Sequence, residues 1–247
     1  MAKKRYILLD LDGTLLPVHR SEYEAAFLPE LQRLFQEQFP DCWERIDAAL
    51  KAAFENGGSK PDGKQRNEER FRKIFHEKIG ALTDEVMKAL DAYYGGDYHR
   101  LSSLVHPNGI AEKILNIIEE NDAVPVLATN PVSPASCIYE RIRWAGVKPE
   151  QFYLVTVSEN SCFVKPDRRY YEELLGKIDA SPEECLMIGN DTDEDMEGAL
   201  QAGIETYLVT DYVVDRRNSI EQYRHGNYQE LLRDLAYMIQ GVAEYEK

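Results

Sequence analysis

Short apolar runs that alternate with helical patterns constrain the fold of this chain more than any other feature of its sequence. Five runs have the composition and length of buried strands: Tyr6–Leu9, Ala123–Ala128, Phe152–Val157, Cys185–Ile188 and Thr206–Val209. Helical patterns begin at Ser133-Pro134 after the second run, at Asp167 after the third and at Asn227 after the fifth. Strands that alternate with helices are typical of a parallel sheet covered by helices on both faces.

The stretch between the first and second runs contains helical patterns and no convincing strand. Four helices are expected there: one opened by Pro29 and ended by Pro40, one over Trp43–Ala53, one over Phe71–Ile79, and one capped by Thr83 that ends at Gly95-Gly96. His106-Pro107 marks the return to the alternating pattern. We therefore predict an α/β fold with two parts. Residues 1–18 and 105–247 form a core built on a Rossmann-like, doubly wound parallel sheet, and residues 19–104 form a helical domain inserted after the first strand.

The composition excludes some classes of partner. The chain of 247 residues has a net charge of −15, and its Lys and Arg residues are scattered among acidic ones, so it lacks the basic surface that a nucleic-acid backbone requires. No apolar run approaches the roughly 18 residues of a membrane span, and the run after Lys3-Lys4-Arg5 is too short for a signal peptide. We expect a cytoplasmic protein with neither a nucleic-acid nor a membrane partner. Reduced, mostly buried thiols are expected at the cysteines, which show no metal-ligand spacing: Cys42, Cys137, Cys162 and Cys185.

Polar side chains follow four of the predicted strands. These segments are Asp10-Leu11-Asp12-Gly13-Thr14, Thr129-Asn130, Lys165-Pro166 and Gly189-Asn190-Asp191-Thr192-Asp193-Glu194-Asp195. In open α/β sheets, ligands bind at the carboxyl ends of the strands. We therefore expect these carboxylates, a hydroxyl and an ammonium group to face one place.

This set of side chains suits phosphoryl transfer. The carboxylates of Asp10 and Asp191 and the backbone carbonyl of Asp12 are the hard oxygen ligands that Mg²⁺ prefers. A carboxylate can attack phosphorus and form an acyl phosphate. A second carboxyl, two residues away, can protonate the leaving oxygen and then activate water. The charge on the moving phosphoryl oxygens requires cations and hydrogen-bond donors, here Lys165, Thr129 and the metal.

Taken in order, these segments closely resemble the four motifs of the haloacid dehalogenase superfamily. The resemblance spans nearly the whole chain, and its most specific part is the run Asp10-Leu11-Asp12-Gly13-Thr14-Leu15. It implies Mg²⁺-dependent hydrolysis of a small phosphorylated metabolite through an aspartyl-phosphate. Asp10 would be the nucleophile and a metal ligand, and Asp12 the acid and base with its carbonyl on Mg²⁺. Thr129 and Lys165 would hold the phosphoryl group, and we add Asn130 as a further phosphate-binding candidate. The helical insertion looks like a C1-type cap, which closes over the site and selects substrates.

The fourth motif departs from the usual Gly-Asp because Asn190 stands between Gly189 and Asp191. With Asp191 as the metal ligand, Asp195 follows four residues later, as in one common version of the motif. With Asn190 as the ligand, Gly189 keeps its register but the ligand is neutral. We prefer Asp191 because the metal site needs its charge, and we keep Asn190 and Asp195 as candidates for additional support of that site.

Two other motifs have weaker interpretations. Asp191, Asp193 and Asp195 have the spacing of a calcium-binding EF-hand loop, but Met196 and Ala202 stand where that loop requires Gly and Glu. A second segment, 58–65, is one residue short of a nucleotide-binding P-loop and follows a predicted helix rather than a strand. We interpret it as part of a cap loop, residues 57–66, from which a basic side chain is a candidate to contact an anionic substrate: Lys60, Lys64 or Arg66.

Two alternatives to a phosphohydrolase stay open, and the first of them, a phosphomutase, shares all four motifs. A phosphomutase differs in how the cap protects the phosphoenzyme from water. A non-catalytic protein that binds a phosphorylated ligand would be expected to have lost a catalytic group, whereas Asp10, Asp12, Thr129 and Lys165 are all present. The dehalogenase reaction fits less well, because Asp12 would have no acid or base task in displacing a halide.

Overall fold

The computed structural model describes residues 3–56 and 61–241. Its sheet consists of six strands: β1 (Tyr6–Leu9), β2 (Val124–Leu127), β3 (Leu154–Val155), β4 (Cys185–Gly189), β5 (Glu205–Val209) and β6 (His225–Gly226). All pairings are parallel, and the strand order is β3-β2-β1-β4-β5-β6. This is the order of a Rossmann-like doubly wound sheet, so the predicted fold class is confirmed.

Helices cover both faces of the sheet. The α-helices are α1 (Arg20–Gln38), α2 (Trp43–Asn56), α3 (Asn67–Ile79), α4 (Thr83–Tyr94), α5 (Ile110–Glu120), α6 (Ala135–Trp144), α7 (Arg168–Ile178), α8 (Gly198–Gln201) and α9 (Tyr228–Gln240). Successive side chains of a strand point to opposite faces. Ile7 and Leu9 of β1 accordingly join a core cluster with α5, α6 and α9, whereas Tyr6 and Leu8 join a second cluster with α7 and α8. None of the described helices is long and apolar enough to cross a membrane.

Helices alone fill the insertion between β1 and β2 over the described residues 20–56 and 61–104, where α1 to α4 are followed by a 3-10 segment, Asp97–Leu104. The division of the chain into a core and a cap at residues 19–104 stays a prediction. Residues 57–60 lie outside the described residues. They include Lys60 and the first part of the P-loop-like segment 58–65.

Two of the predicted helix starts are wrong. Helix α1 begins at Arg20, so Pro29 lies inside it. A proline costs the helix one hydrogen bond, but burial of Phe27, Leu31 and Phe35 along one side of α1 outweighs that loss. Thr83 is the first residue of α4 rather than its cap, and its hydroxyl donates a hydrogen bond to the Gly80 carbonyl at 2.7 Å.

The predicted strands have the right positions, with differences at their ends. β3 is shorter than the run Phe152–Val157, and β6 was not predicted. Its two residues, His225 and Gly226, carry no apolar or β-branched signal. The cysteines are free thiols, as predicted, and two are buried (Cys137, Cys185) while two are half-buried (Cys42, Cys162).

Candidate active site

The register of the central strands places the predicted site residues side by side. Leu9 pairs with Leu127 on one side and with Ile188 on the other, so the three strands end at one level. Directly beyond, the Asp10 amide donates to the Ile188 carbonyl at 2.9 Å. The strand order reverses between β1 and β4, and a crevice for ligands opens at such a reversal.

A cavity of about 580 Å³ lies at this edge of the sheet. All eight residues predicted for the site line it: Asp10, Asp12, Thr129, Asn130, Lys165, Asn190, Asp191 and Asp195. The structure thus brings together residues that lie up to 185 positions apart in the chain, since Asp10 and Asp195 share one wall. Their individual roles stay predictions. In the described part of the loop between α2 and α3, Lys64 and Arg66 are exposed and do not line this cavity.

Lys165 is the buried cation at the centre of the site. Its ammonium donates to Asp10 Oδ1 at 2.9 Å and to Asp195 Oδ1 at 2.6 Å. Burial opposes its charge, but the two carboxylates outweigh this effect and hold the pKa of Lys165 well above its ordinary value. Burial raises the pKa of Asp10; Lys165 opposes that shift, and the charges of Asp195 and Asp12 add to it. One ammonium does not balance the charge of two buried carboxylates, so further positive charge would stabilise the site.

Asp195 ties the loop after β4 to this ion pair. Its Oδ2 accepts hydrogen bonds from the backbone amides of Asn190 (2.9 Å) and Asp191 (3.0 Å). A Cβ at Gly189 would collide with the Asp195 carboxylate, so only glycine fits there. Both oxygens of Asp195 are thus engaged by groups inside the protein, one by the Lys165 ammonium and the other by two backbone amides.

Asp191 and Asn190 differ in their surroundings. Asp191 Oδ1 accepts from the backbone amides of Asp193 and Glu194, both at 3.0 Å, and both of its oxygens lie 2.9 Å from the Arg216 guanidinium. Asn190 Nδ2 donates to the Tyr212 carbonyl at 2.6 Å. Asn190 also packs so closely on Gly13, which has φ +82°, that a Cβ at Gly13 would overlap its amide. The Asn190 side chain thus packs between the segments that contain Gly13 and Tyr212, whereas Asp191 presents a carboxylate in the cavity wall.

Several cavity residues were missed by sequence reasoning. The insertion contributes Arg20, which donates to Glu194 Oε1 at 3.0 Å and lies 3.8 Å from Asp191 Oδ2. The core contributes Arg141, which pairs with Asp12, and Glu194, which accepts from Asn130 Nδ2 at 3.0 Å. The insertion also supplies an apolar wall, made of Tyr23, Phe27, Leu28 and Phe54. A lone arginine or aromatic residue on an amphipathic helix carries no motif, so no local pattern could have assigned these residues to the site.

The donor chemistry of the wall fits Mg²⁺. Asp10, Asp191 and the backbone carbonyl of Asp12 offer hard oxygen atoms, and Mg²⁺ commonly completes its shell with waters and substrate oxygens. The described residues contain no group of three His, Cys, Asp or Glu side chains arranged around one metal position. This is compatible with a Mg²⁺ site because two carboxylates and a carbonyl suffice when waters complete the shell.

Comparison with known proteins gives consistent matches. The model of a hydrolase family, described as haloacid dehalogenase-like hydrolase, matches residues 4–203. The chain is similar to the pyrimidine 5′-nucleotidase PynA of Streptococcus pneumoniae, with 26% identity over 241 residues, covering 92% of this chain and 93% of that protein. A shorter similarity, 35% identity over 69 residues, links it to the glyceraldehyde 3-phosphate phosphatase of Methanothermobacter thermautotrophicus, covering 28% of this chain and 30% of that protein. Among solved structures, the HAD-hydrolase YfnB of Bacillus subtilis with bound magnesium has the same fold, with a TM-score of 0.55, 20% identity, and coverage of 97% of this chain and 100% of that one.

Proposed function

We propose that this chain, which belongs to the haloacid dehalogenase-like hydrolase family, hydrolyses small phosphomonoesters through an aspartyl-phosphate on Asp10 with Mg²⁺ as cofactor. It is a phosphatase of that family. The observation that carries the proposal is the hydrogen bond between Lys165 and Asp10, in a cavity that Asp12 and Asp191 also line. A buried carboxylate beside a buried ammonium provides a nucleophile and a binding group for an anionic phosphoryl group.

The reaction has two steps, and the residues of the cavity wall divide the tasks between them. Lys165 and Thr129 bind phosphoryl oxygens and orient the phosphorus toward Asp10. An oxygen of the Asp10 carboxylate forms a bond to phosphorus as the bond to the leaving oxygen breaks, and Asp12 gives that oxygen a proton. Asp12 then takes a proton from the water that attacks the aspartyl-phosphate, which releases phosphate and restores Asp10. Asp10, Asp191 and the Asp12 carbonyl would hold Mg²⁺, which supplies positive charge and orientation for the phosphoryl oxygens.

The apolar wall of the cavity indicates the class of alcohol that leaves. In that wall, Leu28 and Phe54 are 45% and 42% exposed, and Val132, which follows β2 and is 43% exposed, lines the same cavity. In the described part of the insertion, Arg20 is the only cation of the wall, and Glu194 already pairs with it. A substrate with one phosphate and a planar ring that can pack on these side chains fits this wall better than one with a second anionic group. A nucleoside 5′-monophosphate has that shape, and the similarity to a pyrimidine 5′-nucleotidase supports this choice.

Removal of the apolar wall is expected to weaken binding of such substrates. The double variant Leu28→Ala, Phe54→Ala should raise KM for a nucleoside monophosphate by about 5- to 30-fold, which is the loss of about 1–2 kcal/mol of apolar contact. KM for glycerol phosphate should stay within about twofold, since that substrate is too small to reach the wall. The measurement is phosphate release over a panel of phosphorylated metabolites with Mg²⁺.

A matched control for this variant is Tyr153→Ala, which removes an aromatic side chain that is 63% exposed and lies outside the cavity wall. It should leave KM unchanged for every substrate. An equal rise of KM for both substrates, or a preference for substrates with two anionic groups, would contradict the assigned substrate class. An isomeric product with little free phosphate would favour the phosphomutase alternative.

Asp12→Asn is expected to separate the two proton transfers. The substitution keeps the shape and the backbone carbonyl of Asp12 but removes its proton transfer, which is worth roughly 10²–10⁴-fold. With an alkyl phosphate both steps should slow. With p-nitrophenyl phosphate the leaving anion is stable, so the first step should survive better than the second. Rapid mixing should show a burst of about one p-nitrophenolate per active site, followed by slow turnover. A large, equal loss on both substrates without a burst would remove Asp12 from the acid and base role.

A further inference from the structure

Arg141 is a buried arginine that contacts the candidate acid and base. It lies on α6, is only 5% exposed, and its Nη1 donates to Asp12 Oδ2. Burying a guanidinium carries a large desolvation cost, so a folded chain keeps one only where a partner compensates it. The neighbouring Arg143 on the same helix shows the usual alternative, since its side chain is 56% exposed and pairs with Glu140 at 3.2 Å.

The two oxygens of the Asp12 carboxylate have different surroundings. Oδ2 accepts from Arg141, whereas Oδ1 is buried and has no hydrogen-bond partner among the described residues. A buried acceptor without a partner is costly and calls for a reason. Asp12 lines the cavity, so Oδ1 is the carboxylate atom that a substrate leaving oxygen or an attacking water can approach.

The helical insertion closes the space around the guanidinium. The Tyr23 ring of α1 lies 5.5 Å from the Arg141 guanidinium carbon, within the range of a cation–π contact. The Tyr23 hydroxyl lies 2.7 Å from the Tyr98 hydroxyl, and Cys137 Sγ donates to the same Tyr98 oxygen at 3.1 Å. Tyr98 belongs to the 3-10 segment and Cys137 to α6, so these contacts hold Tyr23 between the insertion and the core.

We infer that Arg141 is a positioning residue for Asp12. It holds Oδ2, leaves Oδ1 as the atom that gives and takes the proton, and is itself held in place by the Tyr23 ring. This inference rests on the proposed function, in which Asp12 is the acid and base. The insertion would then act on Asp12 through Tyr23 and Arg141, in addition to supplying the apolar wall of the cavity.

Arg141→Gln tests the inference because it should reproduce the pattern of Asp12→Asn. For an alkyl phosphate, kcat should fall by about 10- to 100-fold, a part of the full proton-transfer effect, while KM stays within about twofold. For p-nitrophenyl phosphate, the burst should persist because its first step does not need the proton. In the Asp12→Asn background, Arg141→Gln should cause no further loss, since the two residues act as one unit. The matched control is Arg143→Gln, which should behave as the wild type.

Several outcomes would overturn the inference. A raised KM with an unchanged kcat would show that Arg141 binds substrate instead. The positioning role would also be contradicted if the p-nitrophenolate burst fell as much as kcat for the alkyl phosphate. Additive losses of kcat in the double variant would contradict it as well. Tyr23→Leu should give a smaller loss of kcat on the alkyl phosphate, and an unchanged kcat would remove Tyr23 from the arrangement.

Folding and the proposed function are tested separately. If Arg141→Gln lowers Tm so far that the protein is unfolded in the assay, Arg141→Met replaces it in every comparison, because methionine fills a buried site with an unbranched apolar chain and removes the hydrogen bond to Asp12. A wild type without phosphatase activity would refute the proposed function. A wild type that is active, an Asp12→Asn variant that bursts and an Arg141 variant that behaves as the wild type would refute this inference alone.

Discussion

Asp10→Asn is expected to abolish phosphatase activity, with kcat lowered by at least about 10⁴-fold. A carboxamide is too poor a nucleophile to form the covalent intermediate with phosphorus, and the other groups of the cavity cannot replace it. The substitution preserves size, and the new carbonyl oxygen can still accept the hydrogen bond from Lys165. The measurement is steady-state phosphate release with Mg²⁺ at saturating substrate.

The stability of Asp10→Asn distinguishes loss of chemistry from loss of fold. In the metal-free protein, burial raises the pKa of Asp10 above the value of an unfolded chain. Ionised Asp10 therefore costs stability, and this cost grows as pH rises from the unfolded pKa towards the folded one. Removing the carboxylate should leave Tm equal or higher at neutral pH. The control Asp193→Asn removes a carboxylate from the loop after β4, where Asp193 pairs with Arg217 at 3.3 Å, and should retain activity within about twofold. An Asp10→Asn variant with more than about one hundredth of wild-type activity would contradict the nucleophile assignment.

Removal of Mg²⁺ is the second change for which a nearly complete loss is expected. The cavity wall carries Asp10, Asp12, Asp191, Glu194 and Asp195, and these carboxylates repel a phosphate dianion unless a divalent cation neutralises them. Chelator should lower phosphate release by about 10³-fold or more, and added Mg²⁺ should restore it. Full turnover in chelator would refute the metal-dependent mechanism.

The choice between Asp191 and Asn190 as ligand is tested by binding. Arg216 and Arg20, the cations near Asp191, have half-exposed side chains (45% and 44%) that can move away when a metal binds. Asp191→Ala should raise the Mg²⁺ concentration for half-maximal activity at least about tenfold. Asn190→Ala should change it less, because the Asn190 amide already donates to the Tyr212 carbonyl. Calorimetric titration of Mg²⁺ without substrate provides a readout independent of turnover, and a larger effect of Asn190→Ala would move the ligand to that residue.

The fold and the position of the cavity could be predicted because both depend on local signals. Runs such as Tyr6–Leu9 and Cys185–Gly189 are fully buried strands, and their apolar composition reflects that burial directly. Parallel strands that end at one level bring the residues that follow them together. That rule is sufficient to place Asp10, Thr129 and Asp191 around one cavity without knowledge of any side-chain contact.

The remaining features depend on how distant segments pack. Arg141 stands on an amphipathic helix, where a charged residue usually indicates the solvent face, yet it is buried and its guanidinium contacts Asp12 and the Tyr23 ring. Tyr98 is fully buried in a 3-10 segment that the sequence did not predict, and its hydroxyl contacts Tyr23 of α1 and Cys137 of α6. The interior position of Pro29 was missed for the same reason, since burial of Phe27 and its neighbours maintains α1 against the local preference of proline.

The most direct test of the central claim is detection of the phosphoryl group on Asp10. The Asp12→Asn variant should be mixed rapidly with p-nitrophenyl phosphate and Mg²⁺, quenched in acid and digested with pepsin at low pH, because an acyl phosphate hydrolyses at the higher pH that trypsin requires. The peptide that contains Asp10 is then isolated. Mass spectrometry of this peptide should show the added mass of one phosphoryl group, with fragment ions that place it on Asp10. Asp10→Asn, Asp12→Asn protein should show no addition. Turnover without a phosphorylated peptide, or a phosphoryl group on another residue, would contradict the account.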